Sequence, residues 1–162
     1  MKLTLKHILV AVVLIAVAIF FLIPSDEKEV RKRLKNLAAE VGKTDAESEL
    51  ELASKALKIS NYFTPKTVLK VGSPVPDIKG QSDVKRAALM GRAAVKSIWV
   101  DFVDVTMTFD SKTSVLVECT AQGRISEVSG ERGFQARYLE IRMIKEGGDW
   151  LIDEMKEVKA LQ

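Results

Sequence analysis

Apolar residues fill every position from Ile8 to Ile23, sixteen in a row, behind Lys2, Lys6 and His7, and the run stops at Pro24-Ser25-Asp26-Glu27. Nothing later in the chain is patterned this way. Sixteen helical residues reach only about 24 Å, against about 30 Å of bilayer hydrocarbon. Adding Leu3 to Leu5, with the Lys6 amine snorkelling to the headgroups, gives roughly 21 positions, enough for one crossing. The last apolar turn, Phe20-Phe21-Leu22-Ile23, is bulky where a signal peptidase needs small residues, and no cysteine lies at its end to carry a lipid. The pattern predicts an uncleaved N-terminal transmembrane helix, a signal-anchor spanning residues 1–24, ahead of one domain at residues 25–162.

Beyond Pro24 the period is helical. Asp26 with Glu29 predicts a cap, after which Val30, Leu34, Leu37, Ala38 and Val41 form one stripe as far as Gly42. Thr44-Asp45-Ala46-Glu47 reads as a capping box for a second helix, with Leu50, Ala53, Ala56, Leu57 and Phe63 facing inward and Pro65 as its stop. A short strand from Thr67 to Val71 leads into the loop Gly72-Ser73-Pro74-Val75-Pro76-Asp77. A third helix opens at Gly80 and Ser82, its stripe being Val84, Ala87, Ala88, Gly91, Val95 and Ile98. From Trp99 the period becomes two. Val103, Val105, Met107 and Phe109 alternate with polar residues, as do Val115, Val117, Cys119 and Ala121, and then Leu139, Ile141 and Met143. Trp150 and Ile152 lead a final strand. The expected fold class is α+β: three helices packed on a curved, mainly antiparallel sheet behind the transmembrane helix, with a bulge expected at Gly123.

Charge adds a membrane question and removes a nucleic-acid one. All 22 acidic residues lie beyond the apolar run, with every basic residue except Lys2 and Lys6, so the domain carries only +1 and has no bulk attraction for nucleic acid. Lys2, Lys6 and the α-amino group place the N-terminus in the cytoplasm and the domain outside it, whereas Lys28, Arg31, Lys32, Arg33 and Lys35 count the other way. The signal-like order of basic, apolar and polar segments favours the domain outside. Arg31, Lys32, Arg33 and Lys35 are candidate lipid-headgroup contacts, weighed against the simpler reading of a solvated helix face salted with acids.

Several residues then resemble the nuclear transport factor 2-like superfamily. They are Asn61-Tyr62-Phe63-Thr64 at the end of the second helix, the strand Thr67 to Val71, Ile78-Lys79-Gly80-Gln81 before the third helix, and the closing hairpin Lys145-Glu146-Gly147-Gly148-Asp149-Trp150-Leu151-Ile152. The resemblance implies a cone-shaped fold over nearly all of residues 27–160. Superfamily members include isomerases, dehydratases and epoxide hydrolases, but also binding and assembly domains, among them periplasmic domains of secretion-system inner-membrane proteins. The implied setting is a single-pass protein of a bacterial inner membrane.

The residues offer little chemistry. The only histidine is His7, so the domain lacks imidazole for nucleophile activation or metal ligation, and Cys119 stands alone. No cofactor or metal is expected. Enzymes of the resembling superfamily often use a carboxylate base with tyrosine or carboxyl donors, and here Asp101, Asp104, Glu118, Glu140, Tyr62 and Tyr138 are available. Only Asp101 is in phase with Val103, Val105 and Met107, at what reads as a strand end, so no catalytic residue is assigned. Tyr62, Trp99, Val103, Met107, Val117, Leu139, Ile141, Met143 and Trp150 are candidates to line a cone pocket, or else simply to form the core. Thr106, Thr108, Glu118, Thr120 and Arg142 form a candidate partner face. The expected function is a non-enzymatic, membrane-anchored domain that binds a protein partner or assembles as a homo-oligomer. The alternatives are a carrier or sensor of a small apolar ligand and, behind that, a carboxylate-based isomerase or hydratase.

Overall fold

The computed structural model describes residues 25–73 and 75–159. The apolar run at residues 8–23 lies outside them. Among the described residues no helix is long and apolar enough to cross a membrane.

Helix α1 (Asp26–Val41) starts one residue earlier than the sequence suggested, because Ser25 is the cap and its Oγ accepts from the Lys28 N–H. The acids at 26, 27 and 29 then sit in the first turn, where the helix dipole favours them. Its stripe of Val30, Leu34, Leu37 and Ala38 is buried, as the spacing predicts. Helix α2 (Glu49–Ser60) differs more. Its capping box is Ser48 with Glu51, not Thr44 with Glu47: Ser48 N–H donates to Glu51 Oε2 at 2.8 Å and Glu51 N–H returns to Ser48 Oγ at 3.3 Å. The inward residues are Ala56 and Ile59, while Leu50 is 81% exposed and Leu57 and Ala53 also face out.

Strand β1 (Phe63–Lys70) and the two-residue β2 (Ile78–Lys79) precede helix α3 (Gln81–Ala94). Gln81 fixes the start of α3 by donating to the Ser60 and Phe63 carbonyls. The loop after β1 turns at Gly72, whose positive φ suits glycine and where an added Cβ would stand 2.1 Å from the Glu157 carboxylate. Helix α3 ends before Val95, so Val95 and Ile98 belong to the next strand rather than to its stripe, and Gly91 faces open space instead of a neighbouring helix.

Strands β3 (Val95–Ser111), β4 (Ser114–Glu127), β5 (Arg132–Glu146) and β6 (Asp149–Glu157) form an antiparallel meander. β1 joins β6 in parallel, giving the sheet order β2-β1-β6-β5-β4-β3. The inner face carries Val115, Val117, Leu139, Ile141, Met143 and Ile152, packed against Val30, Leu34, Leu37, Ile59 and Val84 of the helices. The bulge is in β3, not at Gly123, which pairs regularly with Val100 and Gln135. Asp104 takes φ 54° and the register slips between Val103 and Thr106. Short polar residues tolerate that left-handed region better than most. The slip exchanges faces: Phe102, Val105 and Met107 pack toward the core, whereas Trp99, Asp101 and Val103 pair with Arg124, Gln122 and Thr120 on the open face.

The ends of α1 and α3 cap each other. Arg92, only 2% exposed, donates to the Glu40, Val41 and Gly42 carbonyls at the end of α1 and pairs with the Glu47 carboxylate. In return Lys43 Nζ donates to the Arg92 and Val95 carbonyls at 2.7 and 2.8 Å. The Lys43 backbone also bridges to Ile98, fastening the end of α1 to β3. The orphan carbonyls that every helix leaves at its C-terminus are thereby met by one buried cation, Arg92, and one half-buried cation, Lys43.

Replacing Arg92 by Met should strand Glu47 and those carbonyls, lowering stability by about 3 kcal/mol; a urea melt should show an earlier midpoint with unchanged slope. Arg92→Lys should rescue little, since one ammonium cannot serve that fan of acceptors. Ser48→Ala should cost about 1 kcal/mol and Thr44→Ala almost nothing, read by the same melts. The hydrogen bond from the Ser48 backbone, then that from its hydroxyl, holds the Glu51 carboxyl below its ordinary range. A depressed folded pKa stabilises above the unfolded value and is lost as pH falls through the folded one. The Ser48→Ala deficit should therefore shrink on acidification.

Candidate functional site

The residues considered for a cone pocket divide between core and surface. Val117, Leu139, Ile141, Met143 and Trp150 are buried in the central cluster, with Tyr62 and Met107 half-buried against it. None of the cavities described below is lined by Val103, Met107, Val117, Leu139, Ile141 or Met143. Val103 and Trp99 lie on the opposite, open face, moved there by the bulge at Asp104.

The carboxylates are dispersed. Asp101 sits mid-strand rather than at a strand end. Its Oδ1 accepts from the Phe102 N–H at 2.9 Å, and it borders a cleft of about 120 Å³ with Arg31, Leu34, Lys35, Phe102 and Val105. Glu118 and Asp104 are exposed, and Glu140 pairs with Lys156 at 2.6 Å. Among the described residues no three His, Cys, Asp or Glu side chains converge as a metal site. Nor do these groups form a hydrogen-bonded acid–base pair facing a cavity.

Two of the four candidate headgroup residues on α1 are engaged within the domain. Arg31 pairs with Glu27 at 2.9 Å and donates to the Val105 carbonyl, while Arg33 lies 4.1 Å over the Tyr62 ring and donates to the Asn61 carbonyl. Lys32 and Lys35 are exposed. At the same end of the helix, Asp26 and Glu29 grip Lys145 of β5 at 2.7 and 2.9 Å, holding its ammonium above the usual lysine range through those hydrogen bonds.

The open sheet face is polar at its centre. Thr106, Thr108 and Glu118 are exposed, Arg142 pairs with Asp110 at 2.8 Å, and Thr120 is nearly covered. Half-buried Leu116, Ile144 and Leu151 share this face by register.

Toward the β4–β5 turn the same face becomes aromatic. Trp99, Arg124 and Phe134 stand abreast on β3, β4 and β5, the Arg124 guanidinium lying 5.2 Å from the Trp99 ring and 5.8 Å from Phe134. Trp99 is 43%, Phe134 56% and neighbouring Tyr138 52% exposed. A groove of about 700 Å³ runs beside them, bordered by Lys43, Thr44, Lys96 to Trp99, Arg124 to Ser126 and Arg132 to Phe134. A second cavity, of about 340 Å³, opens on the inner face beyond the core, over Val100, Ala121, Gly123, Ile125, Gln135 and Arg137. Sequence reasoning missed this end of the domain. The signal was Gly-Arg-Ile at 123–125 and Arg-Gly-Phe at 132–134, which means little until strand register sets Arg124 between Trp99 and Phe134.

No protein-family model and no curated protein sequence matches this chain. Solved structures do resemble it. A Xanthomonas campestris protein described as a calcium/calmodulin-dependent protein kinase II association domain superposes with TM-score 0.67 at 11% identity, over 85% of this chain and 91% of that one. A Novosphingobium aromaticivorans protein described as a scytalone dehydratase gives 0.66 at 10% identity, over 84% and 85%. A nuclear transport factor 2-like protein with a cystatin-like fold, from the same organism, gives 0.62 at 13% identity, over 97% and 90%. The fold is therefore the nuclear transport factor 2-like cone, and at such identities the likeness speaks for fold alone.

Burial pushes the Cys119 thiol up to about 11. At pH 8 a thiol-reactive dye should therefore leave the folded protein unlabelled and modify it at the rate of unfolding when urea is added. Rapid labelling without urea would mean that the inner face opens.

Proposed function

We propose that this chain is a membrane-tethered, non-enzymatic domain that binds a protein partner, or further copies of itself, through the open face of its sheet. The observation that carries this reading is the contrast between the two faces. Under the helices the inner face is filled by its own side chains, with Val115, Val117, Ile141 and Met143 wholly buried. The outer face exposes Thr106, Thr108, Glu118, Trp99, Phe134 and Tyr138 and carries half-buried Leu116, Ile144 and Leu151. Apolar and aromatic groups among polar ones on an exposed sheet suit a protein interface. A tether concentrates such a domain near its partners. The tether itself rests on the apolar run at 8–23, with the domain outside the cytoplasm. The name of the association domain among similar structures fits assembly, and that of the dehydratase fits chemistry, for which the described carboxylates Asp101, Asp104, Glu118 and Glu140 are dispersed.

The inner-face cavity of about 340 Å³ favours a second reading, a carrier or sensor of a small ligand with an apolar part.

A native mass spectrum of the full chain, extracted in mild detergent, separates the two. Masses of several chains, or of one chain with a second protein, are expected, and Thr108→Arg should reduce them to the single chain. An added few hundred daltons that survive gentle activation, lost on Gly123→Trp, would replace partner binding by ligand carriage.

A further inference from the structure

The groove beside the aromatic end of the sheet is a cationic site distinct from the centre of the open face. Lys43, Lys96, Arg124 and Arg132 border it and no carboxylate does. Among the described residues none of these four forms an ion pair, and Lys43 spends its ammonium on carbonyls. Arg124 is held by two aromatic faces, which orient a guanidinium while leaving its in-plane donors free for a carboxylate fork. Ile98, Trp99 and Phe134 supply apolar wall beside those charges.

From these features the geometry points to a docking site for a short acidic segment of a protein partner, glutamate or aspartate side chains flanking an aromatic or aliphatic one. Charge complementarity selects that occupant. A nucleic acid would run beyond the patch onto Asp45, Glu127 and Glu131, which border the adjoining cavities and repel phosphates. The site also stands at the far end of the domain from residue 25. Lys145 holds the start of α1, and Phe134 lies eleven residues back along β5, roughly 36 Å at strand rise. The groove thus lies at the end of the sheet remote from the start of α1. This inference deepens the partner-binding reading by naming the partner's chemistry, and it rests on that reading.

The test uses the full chain in mild detergent and a capped pentapeptide of four glutamates around a central phenylalanine, followed through Trp99 fluorescence. A saturable change is expected, absent in Trp99→Phe and weakening as salt is raised. Arg124→Glu should weaken binding about tenfold or more, the effect of losing a charge-assisted hydrogen bond. Arg132→Gln, at the first position of β5, gives a second and milder loss without touching the aromatic sandwich, and urea midpoints verify that both variants are folded. The proposal is overturned by a silent peptide, by undiminished binding to folded Arg124→Glu, or by equal responses to the lysine counterpart or to free glutamate. Assemblies that persist and respond to Thr108→Arg while the peptide is silent would keep partner binding and remove only this site. A bound peptide on a chain that forms no assembly would do the reverse.

Discussion

Everything in this domain hangs on how two helix C-termini are closed without a left-handed glycine turn, since Gly42 ends α1 at φ −56° and Val95 ends α3 in extended backbone. Arg92 reaches from α3 into the open carbonyls of α1, and Lys43, just past α1, reaches back into those of α3. A buried guanidinium is costly unless every donor is satisfied, and here carbonyls together with the Glu47 carboxylate satisfy it. Because Lys43 also bridges to Ile98, the same junction sets where β3 begins and how α1 lies over the sheet. The stripe of Val30, Leu34 and Leu37 can fill the cone only in that pose, so a polar junction at one end fixes the apolar packing along the helix.

That junction also explains what the sequence could and could not convey. Thr44-x-x-Glu47 and Ser48-x-x-Glu51 are equally good capping boxes four residues apart. Arg92 takes Glu47, so only the second pair is free to cap α2, and no local pattern contains that fact. The arginine itself is invisible to a search for apolar stripes. By contrast the core-covering part of the inner face of β4 and β5 was legible, because Val115, Val117, Leu139, Ile141 and Met143 alternate without interruption and are dry on that face.

β3 shows the opposite case. A period of two carries no mark of a register slip, and Asp104 in a strand looks like any solvated residue. The slip moves Trp99, Asp101 and Val103 to the open face and sends Phe102 inward. One bulge thus decides that the aromatic group meets Arg124 instead of the core, and the candidate site at the sheet's end was legible only once the pairing was known.

The sheet order has a further consequence, for self-association between unfolded edges. β3 is one border of the sheet and β2 the other, and a long bare border invites a neighbouring molecule to add its own strand, a hazard that grows when molecules are crowded onto a surface. β2 offers only two residues. Along β3 the Lys43 bridge occupies Ile98, the Asp104 kink breaks the straight run, and the Arg31 guanidinium covers the Val105 carbonyl. The same three features that place the helix and turn the aromatics outward also keep that border from templating aggregates.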